Sequence, residues 1–258
     1  MTSSKYLLAG LVAVGLLTMP AVQAAPAAAK KPAARKRPEP PPAGPKESVT
    51  PAPRPQKRWT ERQEVINGRA AAGDVDVIFL GDSITQGWEG KGAKLWEKYF
   101  TPLKAMNAGI GGDRTEHVLW RLDNGNIKGI TPKVAVVMIG TNNSRTNTSE
   151  QIAAGITAIV EKLRAKLPQT KVLLLAIFPR GVDGNDPLRK TNAGANSIVK
   201  ALDDGEHVFY LDIGKKFLTT EGVLEKEIMP DRLHLTEEGY EIWAKAIEPT
   251  VQKLLAAG

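Results

Sequence analysis

Two six-residue runs constrain this chain most, Val134-Ala135-Val136-Val137-Met138-Ile139 and Val172-Leu173-Leu174-Leu175-Ala176-Ile177. Neither alternates apolar with polar residues, so each must bury both faces. Inner strands of a parallel sheet, covered by helices on either side, meet that demand. Val77–Leu80, Leu103–Asn107 and Val208–Leu211 are further strand-like runs, which makes five. Helical spacing recurs between them, near Leu95–Phe100, Thr115–Leu122, Ser149–Leu167 and Pro187–Leu202, and again from Thr236 to Leu255. Thr60-Glu61-Arg62-Gln63 reads as a capping box opening an earlier helix that runs to about Ala72. The expected fold class is α/β, a three-layer αβα sandwich with a five-stranded parallel sheet of flavodoxin-like order.

The N-terminal quarter reads differently. Met1 to Ala24 has Lys5, an apolar core from Tyr6 to Met19 and small residues closing at Ala24. That is the pattern of a secretory signal peptide, with export to the periplasm or medium as the expectation. A retained anchor is the competing reading, although the apolar stretch is short for a membrane span. With no cysteine in the chain, no lipidated anchor and no disulfide is available, and stability must come from a full core.

Residues 25–58 are rich in Ala, Pro, Lys and Arg and read as a disordered basic linker ahead of a domain at 59–258. Nine Lys/Arg against two Glu give the linker a net charge of +7, the value of the whole chain. The domain is therefore close to neutral, which removes the main argument for nucleic-acid binding. The linker either touches anionic envelope polymers weakly or is a solvated spacer.

Ligands of open parallel sheets bind beyond the carboxyl ends of the strands, so the residues just past each strand are informative. Ser83 comes after the first, within Gly81-Asp82-Ser83-Ile84. The second leads into Asn107-Ala108-Gly109-Ile110-Gly111-Gly112-Asp113, and the third into Gly140-Thr141-Asn142-Asn143. Phe178-Pro179-Arg180-Gly181 succeeds the fourth, and a long loop after the fifth delivers Asp231-Arg232-Leu233-His234. Ser83 needs a base to become a nucleophile. His234 is the candidate, with Asp231 to orient it. The amides of Ser83 and Gly112 and the side chain of Asn142 are candidate oxyanion donors.

Each piece taken alone has a plainer reading. Ser83 can cap a helix, the glycine loop can be a turn, Asn142 a turn residue, and Asp231–His234 a cap for the last helix. His117 and His207 read as structural. Tyr240, Trp243 and Ile247 are simplest as core, while Trp88 suits either a substrate pocket or a surface loop. Dispersed histidines and the lack of cysteine give no zinc pattern, and no cofactor motif is present.

These blocks resemble the SGNH, or GDSL-type, hydrolase family, over roughly residues 60–255. They are Gly81-Asp82-Ser83-Ile84, Gly109-Ile110-Gly111-Gly112-Asp113, Gly140-Thr141-Asn142-Asn143 and Asp231-Arg232-Leu233-His234. Within the family the chain resembles the branch of intracellular platelet-activating-factor acetylhydrolase catalytic subunits. His117-Val118-Leu119-Trp120-Arg121-Leu122 adds to that likeness. The resemblance implies a hydrolase with Ser83, His234 and Asp231 as triad and Ser83, Gly112 and Asn142 as oxyanion hole. Ile84 replaces the family's usual leucine, and Asn143 stands where many members have aspartate. The expectation is an exported, metal-independent serine esterase for short acyl groups, acetyl above all, on carbohydrate. A lysophospholipase or thioesterase of the same fold, or a non-catalytic binder of acylated glycan, is the alternative.

Overall fold

In the computed structural model, which describes residues 47–257, the five expected strands all form and all run parallel. They are β1 (Val77–Gly81), β2 (Ala105–Gly109), β3 (Val134–Met138), β4 (Lys171–Leu175) and β5 (Val208–Leu211). Their order is β2-β1-β3-β4-β5. Winding therefore reverses after β2, and the crevice where such a sheet takes its ligand opens beyond β1 and β3. Gly81 lies level with Gly109 on one side and Met138 on the other, so three strands end at one rim.

The helices are α1 (Lys57–Ala71), α2 (Ser83–Gln86), α3 (Ala93–Tyr99), α4 (Thr115–Asp123), α5 (Ser149–Lys166), α6 (Pro187–Val199) and α7 (Glu237–Ala256). Side-chain alternation along each strand divides the interior into two cores. Ile78, Leu80, Ala135, Val137, Val172 and Leu174 face α1, α4, α5 and α6. Val77, Phe79, Val136, Met138, Leu173 and Leu175 face α7 and the aromatic side chains around α3. Trp88 lies in that second core, fully buried, with its ring centroid 4.6 Å from that of Tyr240 and 4.9 Å from that of Trp243. It is neither a pocket wall nor a surface residue. The aromatic packing around it claims the ring.

Several boundaries differ from expectation. Helix α1 begins at Lys57, so Thr60 lies inside it, and Gln56 in the cap position makes no side-chain cap. Strand β2 starts at Ala105, because Thr101–Leu103 forms a 3₁₀ turn closed by Lys104 at φ +50°. Helix α6 stops at Val199, and Lys200–Leu202 continues as a 3₁₀ turn.

The described part of the expected linker is also not free chain. Ser48 is buried, its carbonyl accepts from Thr115 Oγ1 at 2.8 Å, and Ala52 N–H donates to the Glu116 carbonyl at 3.2 Å. Partners on α4 thus satisfy a 3₁₀ turn at Glu47–Val49 and the proline-rich segment after it, which local composition alone would leave in water. The signal-peptide region and the linker up to residue 46 lie outside the described residues. Among those described, no helix is long and apolar enough to cross a membrane.

Candidate active site

Strand β1 ends at Gly81, and the chain turns at once into α2, placing Ser83 at the first helical position. Asp82 caps that turn. Its Oδ1 accepts from Ile84 N–H at 2.9 Å and its carbonyl from Gln86 N–H at 2.8 Å. The turn's amides are therefore largely occupied. Ser83 N–H, at the helix start, has no acceptor within its own helix.

Ser83 Oγ lies 2.8 Å from His234 Nε2, although 151 residues separate them. On the other side of the ring, His234 Nδ1 lies 2.6 Å from Asp231 Oδ2. A carboxylate can only accept, so it holds the proton on Nδ1 and leaves Nε2 free to accept the serine hydroxyl. Asp231 does more than orient the ring. Its Oδ1 accepts from Leu233 N–H at 3.1 Å and His234 N–H at 2.8 Å, folding the tetrapeptide into a tight turn around the carboxylate. Arg232 takes the left-handed conformation, φ +61°, that this turn demands. Partial burial opposes the charged form of Asp231, but the hydrogen bonds from the His234 backbone and ring outweigh it and keep the carboxyl below its ordinary range. The side chains of His234 and Asp231 are 45% and 56% exposed, so the site opens directly to solvent.

The loop after β2 runs beside Ser83. A methyl group on Gly111 would stand 3.7 Å from Ser83 Cβ. Gly111 N–H is already bonded to Gln86 Oε1 at 2.7 Å, and Asp113 N–H to the Ile110 carbonyl at 3.1 Å. Gly112 lies between them at φ +79°, and no acceptor meets its amide among the described residues. Asn142 is tied to the same loop, one amide hydrogen going to the Asp113 carbonyl at 2.9 Å. The three expected donors thus gather where β1, β2 and β3 end.

Sequence reasoning overlooked the groups that hold this rim. Arg121, fully buried on α4, donates to the carbonyls of Ala108 at 2.8 Å and Gly81 at 3.2 Å. Its Nε lies 2.8 Å from Asp113 Oδ2. Trp59 Nε1 donates to the other Asp113 oxygen at 2.7 Å. One guanidinium therefore ties together the ends of β1 and β2 and the loop after β2. Arg180 is also buried, and it bridges the loops after β3 and β4 through the Thr141 carbonyl at 3.0 Å.

His117 is structural. Its Nδ1 accepts from Arg114 N–H at 3.0 Å, and burial with the nearby Arg54, Arg114 and Arg121 pushes its pKa down to about 3. His207 lies just ahead of β5, bonded through its backbone to Asp204. Asn143 explains its own departure from the common aspartate. Its Oδ1 accepts from Thr115 N–H at 3.0 Å while its Nδ2 donates to Glu116 Oε2 at 3.1 Å, a pairing that an ionised aspartate could not make.

A parallel αβα sheet with a serine–imidazole pair at its switch point defines a hydrolase of the acyl-transfer class. The chain belongs to the GDSL-like lipase/acylhydrolase family, whose model matches residues 79–242, and it is a carboxylic ester hydrolase.

It is 43% identical over 181 residues to human (Homo sapiens) platelet-activating factor acetylhydrolase IB subunit alpha2, covering 70% of this chain and 77% of that protein. To the human alpha1 subunit it is 38% identical over 200 residues, 77% of this chain and 85% of that one. Among solved structures, a GDSL-like lipase from Bacteroides thetaiotaomicron aligns with TM-score 0.59 at 20% identity, over 76% of this chain and 97% of that one. An acetylxylan esterase from Geobacillus stearothermophilus aligns with TM-score 0.54 at 19% identity, over 69% and 93%. These two likenesses concern the fold.

Proposed function

We propose that this protein is an exported serine esterase that removes short acyl groups, chiefly acetyl, from carbohydrate. The relay from Ser83 Oγ through the His234 ring to Asp231, at 2.8 Å and 2.6 Å, carries the reading. In acylation, Ser83 Oγ attacks the ester carbonyl carbon as its proton passes to His234 Nε2. Asp231 stabilises the resulting imidazolium. The amides of Ser83 and Gly112 and the Asn142 side chain receive the negative oxygen. Collapse breaks the bond to the alcohol, which leaves with the proton from His234. Water then repeats the sequence against the acyl-serine and releases the acid.

Two features support a short acyl group. The clefts flanking the site are lined by Lys91, Asp231, His234 and Glu237 on one side and by Arg54, Arg58 and Arg62 on the other. Pro230 and Leu235 complete the first and Trp59 and Ile110 the second, so each is a short cleft of mixed lining with charged groups at its wall, a better fit for a small acyl group than for a long hydrocarbon tail. The names of the acetylhydrolase and acetylxylan esterase relatives also speak of acetyl substrates. Export rests on the Met1–Ala24 pattern; fractionation of expressing cells should find a mature protein beginning at Ala25, and an intact Met1 in the cytoplasm would refute it.

The full chain should hydrolyse p-nitrophenyl acetate, faster than its long-chain homologues. Ser83→Ala should lower the rate by about a thousandfold or more. Equal rates for the two proteins would exclude the serine mechanism.

A further inference from the structure

Arg54, Arg58 and Arg62 recur every four residues, from the segment just ahead of α1 through its second turn. All three line one cleft of about 420 Å³, together with Gln86 and Gly111. That volume lies within the range of small-ligand pockets, ~300–1,000 Å³. The family match begins only at residue 79, so these arginines belong to a part of the chain outside it.

The cleft adjoins the nucleophile. Gln86 closes the helical turn that starts at Ser83, and Gly111 runs beside Ser83. Arg54 donates to the Gly111 carbonyl at 2.6 Å, and its guanidinium nitrogens would stand 3.0 and 3.2 Å from a Cβ on Gly112.

The positive charges are not matched locally. Arg62 is paired with Glu89 at 2.6 Å. Asp113, 3.4 Å from Arg54, is shared with the buried Arg121. Arg58 is exposed, and its side chain has no hydrogen-bond or ion-pair partner among the described residues. The start of α1 adds to this field. Gln56 provides no side-chain cap, and while its carbonyl accepts from Trp59 and Thr60 N–H, the amides of Lys57 and Arg58 find no acceptor among the described residues.

We propose that this cleft is an anion subsite, in which Arg58 and Arg54 hold a carboxylate or phosphate carried by the substrate next to the ester that Ser83 attacks. The inference rests on the esterase reading of Ser83 and refines its substrate to an acidic one. For an acetylated carbohydrate, the matching group is the carboxylate of a uronic acid, with a sugar phosphate as the second source of the same chemistry. Guanidinium groups suit either oxyanion, because two N–H donors can meet two oxygens at once.

The test compares three acetylated sugars on the full chain: a methyl glucuronoside, its neutral methyl ester, and a sugar phosphate. The wild-type kcat/KM should favour at least one anion over the neutral ester by about tenfold, mostly through KM, and the preference should shrink as salt rises. In Arg58→Gln the ratio of anionic to neutral rates should fall toward one. A merely structural defect would lower all three substrates together and leave the ratio intact.

Which anion is preferred identifies the source. An equal rate on all three in the wild type, or an unchanged ratio in Arg58→Gln, would overturn the subsite. Calorimetric titration of glucuronate and inorganic phosphate into wild type and Arg58→Gln needs no catalysis. Arginine-dependent heat with no hydrolysis of p-nitrophenyl acetate would therefore count against the esterase reading alone. No heat with either anion would count against the subsite alone.

Discussion

Asp82 carries a penalty that its place beside Ser83 imposes. It is fully buried, and its Oδ2 has no hydrogen-bond partner among the described residues. Burial pushes its pKa from 3.8 up to about 7, against the pull of the Ile84 amide and of His234 and Arg180 nearby. The folded state therefore keeps a proton that the unfolded chain loses, and stability declines as pH rises from about 4 to about 7. Asp82→Asn retains an acceptor for Ile84 N–H and removes the titration. Relative to wild type, the variant should gain up to ~1.4 kcal/mol per pH unit across that window; a gap between the two urea melts that stays constant with pH would contradict this. Asn143 gives the opposite case. Asn143→Asp would set a carboxylate oxygen against Glu116 Oε2, now 3.1 Å from the amide nitrogen. It should cost about 1–3 kcal/mol at neutral pH, with part recovered on acidification. Denaturant melts at two pH values read both effects.

At the scale of elements, the site depends on how closely β2 passes α2. A Cβ on Gly109 would lie 2.3 Å from Gln86 N and 2.9 Å from the Asp82 carbonyl oxygen, both backbone atoms. Gly109→Ala must therefore displace the turn that carries Ser83. Stability should fall by about 1–3 kcal/mol, and kcat by about a hundredfold through misplacement; an unchanged kcat would show that the turn tolerates the shift. Tyr240 braces the same turn from α7, its hydroxyl donating to the Ile84 carbonyl at 2.7 Å.

The strands were legible in the sequence because Val134–Ile139 and Val172–Ile177 are apolar on both faces, and Ser83, Asn142 and His234 because each sits where an element begins or ends. Arg121 was not. Beside Val118, Leu119 and Leu122 it reads as the wet edge of an amphipathic helix, and its partners at Gly81 and Ala108 are distant in the chain. Arg54 was hidden by prolines whose composition argues against folding, while its acceptors lie 57 and 59 residues downstream.

Across the whole molecule, the buried Asp113–Arg121 pair joins the helical layer to the sheet rim. Removing one charge leaves the other unpaired in the interior. Asp113→Ala should therefore destabilise the fold by about 3–5 kcal/mol, measured by urea melts, and the loss should also impair hydrolysis by freeing the Gly112 loop. A stability loss below about 1 kcal/mol would mean that water reaches Arg121. The ordered domain also extends well ahead of the family's matched region, since Ser48, Arg54 and Trp59 pack on α4 and the loop after β2.

The turn around Asp231 bears on assembly. One carboxylate grips the backbone of its own turn and the ring of His234, so Asp231 and His234 arrive as a single prefabricated part. Folding then has one distant mating to accomplish, that part against the end of the first strand, where three separate pieces would need two. Errors of position in the closing loop move the pair together and leave the bond between them intact. Such damage should show as a slower enzyme whose dependence on acidity is unaltered.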